Sequence, residues 1–127
     1  MKILVFENEF VYLETAFNYV NEFYFNSKIE FFVHSSSQDF GDFLQVVNYD
    51  GIIVDISLSK KSVLDGYGIL KKLKSLNFAE EKIIIMTGNH KIKSALKEQR
   101  LSESYNLITK PINLLHLKLS LAKLSNN

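Results

Sequence analysis

The sequence predicts an α/β domain, a parallel sheet covered by helices on both faces. Two observations lead there. Short apolar runs alternate five times with stretches of helical period, and parallel strands need crossover connections of that kind. The central run, Gly51-Ile52-Ile53-Val54-Asp55, carries no charge until its last residue, as befits a strand buried on both faces. Asp55 then falls at a strand's carboxyl end, where open parallel sheets place their ligands. A carboxylate there is a nucleophile, a metal ligand or a cap on the following loop. The central run alone leaves all three open.

The elements follow in order. Ile3 to Phe6 is the first predicted strand, ending at Glu7-Asn8-Glu9. Phe10, Leu13, Phe17, Val20 and Tyr24 then recur at three- and four-residue steps, one face of an amphipathic helix. Asn8 is placed to cap that helix, and Glu9 suits its positive end. Asn26-Ser27-Lys28 breaks the pattern, and Ile29 to Val33 reads as the second strand. Ser35-Ser36-Ser37 reads as a loop ending in an N-cap. Phe40, Phe43, Leu44 and Val47 give a second helical face, despite Gly41. After the central strand, Ile69, Leu70, Leu73 and Leu76 mark a third helix. Lys82 to Thr87 is the fourth strand, and a weaker helix runs through Ile92, Ala95 and Leu96. Tyr105 to Thr109 is the fifth strand, ending at Lys110-Pro111. Leucines from Leu114 to Leu124 fill more than one face of the last helix.

Bulk properties narrow the function. The chain has 127 residues, enough for one domain with a sizeable core, and 46% are hydrophobic. Its net charge is +1, with no long run of one sign. Nothing electrostatic calls for nucleic acid or a membrane surface as a partner. Cysteine is absent, which excludes disulfides and thiolate metal sites. Met1 leads straight into a strand, and no apolar run approaches the roughly 20 residues of a membrane helix. The expectation is a soluble, cytoplasmic single domain over residues 1–127. His34, His90 and His116 show no ligand spacing.

The strand ends carry the chemistry. In a doubly wound sheet, Glu7-Asn8, Asp55, Thr87 and Lys110 converge on one edge. The residue types suit phosphoryl transfer. A carboxylate attacks phosphorus to form an acyl phosphate. A divalent cation between carboxylate oxygens offsets phosphoryl charge. A hydroxyl and an ammonium hold the remaining oxygens.

These pieces carry a family likeness: Ile3-Leu4-Val5-Phe6-Glu7-Asn8, Ile52-Ile53-Val54-Asp55, Ile84-Ile85-Met86-Thr87-Gly88 and Thr109-Lys110-Pro111. The chain resembles a response-regulator receiver domain of two-component signalling over essentially its full length. The resemblance implies a flavodoxin-like (βα)5 fold with strand order 2-1-3-4-5. It implies that Asp55 accepts a phosphoryl group from a histidine kinase or phosphotransfer protein. Thr87 and Lys110 would contact that group. Mg²⁺ would be held by Glu7, Asn8, Asp55 and the backbone carbonyl of Ser57. The Lys110-Pro111 bond would be cis. Output would pass to a partner protein by contact, and the surface of the fourth helix, fifth strand and fifth helix would serve a homodimer. An exposed leucine such as Leu119 would anchor that surface.

Departures from the family pattern are specific. The second acid of the metal-binding pair is Asn8, the glycine after Asp55 arrives about three residues late as Gly66, and the switching aromatic of the fifth strand is Leu107. They keep a second reading in view, a pseudo-receiver that binds partners without a phosphorylation cycle. A flavin-binding protein is disfavoured, because no Gly-rich phosphate loop follows the first strand.

Overall fold

The computed structural model describes residues 1–125. Its strands are β1 (Lys2–Phe6), β2 (Glu30–His34), β3 (Gly51–Asp55), β4 (Ile83–Thr87) and β5 (Asn106–Thr109). The helices are α1 (Glu14–Phe25), α2 (Ser37–Phe40), α3 (Gly66–Ser75), α4 (Ile92–Glu98) and α5 (Leu114–Ser125). All five strands run parallel in the order β2-β1-β3-β4-β5, as expected. The order reverses direction between β1 and β3. Their carboxyl ends therefore splay their outgoing loops apart and leave a crevice.

Alternation along each strand divides the core in two. Leu4, Phe6, Ile52, Val54, Ile83 and Ile85 face one side, against Ile69, Leu70 and Leu73 of α3 and Leu96 of α4. Ile3, Val5, Ile53, Ile84, Met86 and Ile108 face the other, against Phe17 and Val20 of α1 and Leu117, Leu121 and Leu124 of α5. β3 and β4 are buried at every residue, which accounts for their uninterrupted apolar runs.

Two local expectations fail, each for a physical reason. Asn8 does not cap α1. The Glu9 amide is drawn to the Glu7 carboxylate (N to Oε1, 2.9 Å), and a 3-10 turn at Phe10–Tyr12 intervenes before α1 begins at Glu14. The helix through Phe40 and Val47 is not continuous either. α2 stops at Phe40, Gly41 turns the chain at φ +89°, and Phe43–Asn48 form a 3-10 helix capped by Asp42. The aromatic core favours the break, since Phe6 stacks on Phe43 and meets Phe40 edge-on, both at 5.7 Å. Leu44 and Val47 are left exposed. Of Ser35, Ser36 and Ser37, Ser36 is the cap, accepting from the Asp39 amide at 3.1 Å, and Ser37 is the first residue of α2.

Gly66 shows what its late arrival serves. A β-carbon there would lie 2.5 Å from the Ile56 α-carbon and 2.8 Å from the Asp55 carbonyl oxygen. The first turn of α3 thus rests on the backbone leaving β3, and no side chain fits between. Gly66→Ala is expected to destabilise the domain by about 1–3 kcal/mol, since the clashing atoms are backbone and cannot swing away. Urea melts of the two proteins measure it.

Candidate functional site

Three charged groups meet at the β1–β3 crevice. Glu7 follows β1, Asp55 ends β3, and Lys110 follows β5. Both carboxylates are buried, Glu7 at 2% and Asp55 at 3% exposure. The Lys110 ammonium bridges them, Nζ lying 2.9 Å from Glu7 Oε2 and 3.3 Å from Asp55 Oδ2. The other oxygen of each carboxylate accepts a backbone amide: Glu7 Oε1 from Glu9 at 2.9 Å, and Asp55 Oδ1 from Ser57 at 3.0 Å. The Glu7 amide is itself held by the His34 carbonyl at 3.1 Å.

The strand register sets these positions. Asp55 lies opposite Met86, so Thr87 is one residue further along the neighbouring strand, and Thr87 lies opposite Thr109. Thr87 is 1% exposed, and its hydroxyl accepts from the Asn89 amide at 2.9 Å. The Thr87 carbonyl accepts the Lys110 amide at 2.8 Å, which fixes where the lysine leaves β5. The Lys110-Pro111 bond is cis. Asn8 and Ser57 are exposed at the same edge, and Ser57 reaches Asp55 through its amide. The structure therefore joins Glu7, Asp55 and Lys110 directly, places Thr87 on the adjoining strand end, and leaves Asn8 outside the ion-pair network. Leu107 is half-buried and packs against the α3–α4 side of the core.

The cluster holds two acids and one base, and its electrostatics follow. Burial raises the Glu7 carboxyl above the ordinary range, and the Asp55 charge adds to it, against the opposing Lys110 and Glu9 hydrogen bonds. Burial is also the largest single influence on Lys110 and acts to lower it. The hydrogen bond to Glu7 and the charges of Asp55 and Glu7 together outweigh burial and hold the ammonium above its usual value. The lysine is thus firmly cationic, while the two carboxylates repel each other.

The oxygen donors are all hard: two carboxylates, the Asn8 amide and nearby backbone carbonyls. That chemistry fits a divalent cation of the Mg²⁺ type, which keeps several waters. Among the described residues, no three acids or histidines come together as a metal cluster. Every buried side-chain nitrogen and oxygen among them already has a partner.

A further polar network escaped the sequence. Ser37, Gln38 and Ser62 pin the loop after β3 onto the start of α2. The Ser62 hydroxyl accepts from the Ser37 amide at 2.9 Å and donates to the Leu64 carbonyl at 2.6 Å. The Gln38 side chain donates to the Lys61 carbonyl at 2.7 Å and accepts from the Val63 amide at 2.8 Å. These partners lie some 25 residues apart in the chain, and serine-rich loops carry no sign of which serine meets which.

Because the two buried carboxylates share one cation, their removal and its removal act in opposite directions. In metal-free buffer, Asp55→Asn is expected to raise stability by about 1 kcal/mol, and Lys110→Met to lower it by about 1–3 kcal/mol. The second figure sits below that of a fully buried pair because the lysine side chain is 30% exposed. Thermal melts of the three proteins test the signs.

No family model matches the chain, and no curated protein does. Solved structures do. The signal receiver domain of a DNA-binding response regulator from Colwellia psychrerythraea superposes with a TM-score of 0.74 at 20% identity, covering 100% of this chain and 99% of that one. A response regulator receiver domain protein from Clostridium thermocellum gives 0.71 at 24% identity, covering 98% and 94%. The receiver domain of NtrX from Brucella abortus gives 0.67 at 19% identity, covering 98% and 99%. Among the described residues, no helix is long and apolar enough to cross a membrane. Strand order, crossovers and superposition agree, and the chain has the fold of the response-regulator receiver domains.

Proposed function

We propose that the chain, read as a single receiver-like domain over residues 1–127, is a phosphorylatable signalling switch whose phosphoacceptor is Asp55. The observation that carries this reading is the pair of buried carboxylates at the β1–β3 crevice, bridged by Lys110. An Asp55 oxygen attacks phosphorus, the bond from phosphorus to the donor breaks, and an acyl phosphate forms. The donor is the phosphohistidine of a histidine kinase or phosphotransfer protein, and its imidazole leaves. Lys110 shifts its hydrogen bond from the carboxylate to the new phosphoryl oxygens, and the Thr87 hydroxyl serves another. Slow hydrolysis of the aspartyl phosphate returns the switch. Output passes by contact to a partner protein.

Glu7, Asn8, Asp55 and the Ser57 carbonyl would hold Mg²⁺, whose charge offsets that of the incoming phosphoryl group. Glu7 is central to this, because its carboxylate is buried beside that of Asp55, and burial first and the Asp55 charge after it raise its pKa. The pseudo-receiver reading draws on two observations, the uncharged Asn8 outside the network and Leu107 in place of an aromatic.

Mass spectrometry separates the two readings. After incubation with acetyl phosphate and Mg²⁺, the protein is expected to gain one phosphoryl group, and Asp55→Asn is expected to gain none. A gain that survives the substitution would overturn the assignment of Asp55, and no gain in the native chain would favour the pseudo-receiver.

Metal affinity gives a second test. Asn8→Asp places a third negative charge at the site, and a charge about 4 Å from a divalent ion is worth several kcal/mol at an effective dielectric near 20. The solvent at Asn8 weakens this, and a rise in Mg²⁺ affinity of about 10- to 100-fold is expected by calorimetric titration. Equal affinities would place Asn8 outside the metal shell.

A further inference from the structure

Exposed large apolar side chains occur on turns, such as Leu44 and Val47 of Phe43–Asn48, and on two helices, α1 and α5. Tyr19 and Phe23 of α1 are 46% and 65% exposed, and Leu115 and Leu119 of α5 are 55% and 49% exposed. Among the described residues, no large apolar side chain of α3, α4 or β5 is comparably exposed. The two helices lie side by side on one face of the sheet, so their exposed residues make one patch. It is ordered, with Tyr19 and Phe23 stacked at 5.6 Å and Phe23 edge-on to Tyr24 at 4.9 Å. Lys118 of α5 crosses to Tyr24 of α1, its Nζ 4.5 Å from the ring centre.

That contact shows which shoulders of the two helices face each other. At about 100° per residue, Phe23 and Leu115 lie on the outer side of those facing shoulders, along the seam. Tyr19 and Leu119 point away from the sheet. Glu22 falls on the far shoulder of α1 and Lys123 on the far shoulder of α5, both exposed and both in the last turn of their helices. The charges segregate along with them. α1 contains glutamates and no Lys or Arg; α5 contains lysines and no Asp or Glu. Across the face the order is acidic, aromatic, leucine, basic, with Lys118 at the seam and Lys123 alone on the basic shoulder.

We propose that this face pairs two copies of the chain. It contains its own complement, as an isologous two-fold contact requires. A two-fold axis along the seam lays α1 of each copy on α5 of the other. The aromatics then meet leucines and each acidic shoulder meets a basic one, with Glu22 and Lys123 at matching height. An axis across the helices sets α1 on α1 and α5 on α5, which opposes like charges and is disfavoured. The patch is of the exposed apolar kind that marks association surfaces. The homodimer surface implied by the family resemblance lies elsewhere, on α4 and β5 as well as α5. The outer side of α4 presents Lys93 and Lys97 rather than apolar residues.

Sedimentation of the native chain and of charge-reversed variants tests this. At about 0.1 mM, where a complex with micromolar Kd is almost fully associated, the native chain is expected to be a dimer. Glu22→Lys and Lys123→Glu should each weaken it at least ~10-fold, and the two together should restore it to within ~3-fold, since the attraction is regenerated with its signs exchanged. Phe23→Ser with Leu119→Ser should leave a monomer, with circular dichroism confirming the native fold. A monomeric native chain would overturn the proposal. So would a dimer indifferent to Phe23 and Leu119, a loss that the double reversal fails to restore, or a dimer dissociated instead by Lys93→Glu with Lys97→Glu.

Discussion

The functional edge depends on one ammonium held between two buried carboxylates. Glu7 and Asp55 arrive on neighbouring strands and both are buried, where an unpaired charge is costly. Lys110 supplies the missing charge from a residue 103 positions after Glu7 and 55 after Asp55. It reaches them only because β5 lies at the correct register beside β4, where the Thr87 carbonyl holds the Lys110 amide. The sheet is therefore a device for bringing a distant cation to a place where acids would otherwise be too costly. Under the proposed function, the same arrangement would make the site responsive. A phosphoryl group on Asp55 would offer the lysine new oxygens and draw it from Glu7.

The loop after Asp55 is tied down along its length. A long loop beside the site costs entropy to order. Here Ser37, Gln38 and Ser62 pin the loop to α2. At its far end Gly66 lets α3 sit directly on the Asp55–Ile56 backbone. The acid is thereby fixed from both ends of the loop, and the short α2 gains a purpose. Its first turn is the anchor, and Gly41 releases the chain immediately afterwards so that Phe40 and Phe43 can both reach Phe6.

The two faces of the sheet are finished differently. The side with α3 and α4 closes over a mixed aliphatic and aromatic core, and its two helices present lysines outward. The side with α1 and α5 buries one stripe of each helix and leaves a second apolar stripe in solvent. The leucine excess in α5 reflects this division, since Leu117, Leu121 and Leu124 serve the core while Leu114, Leu115 and Leu119 do not.

The sequence by itself determined the fold class, the five strands and the identity of the edge residues. These rest on local properties: a fully buried strand must be apolar throughout, and a polar residue ending such a run must lie at its rim. β3 and β4 end at Asp55 and Thr87 as the sequence predicts. Tertiary structure decided the rest, because the remaining questions concerned partners far apart in the chain. Periodicity read Phe40 to Val47 as one helix, and packing around Phe6 broke it at Gly41. Propensity gave Asn8 to α1 as a cap, and the Glu7 carboxylate took the neighbouring amide instead. No local signal paired Ser37 with Ser62, or showed that one lysine would serve two acids. Hydrophobic pattern acts over a turn or two of chain, whereas a buried charge accepts whichever partner the topology delivers.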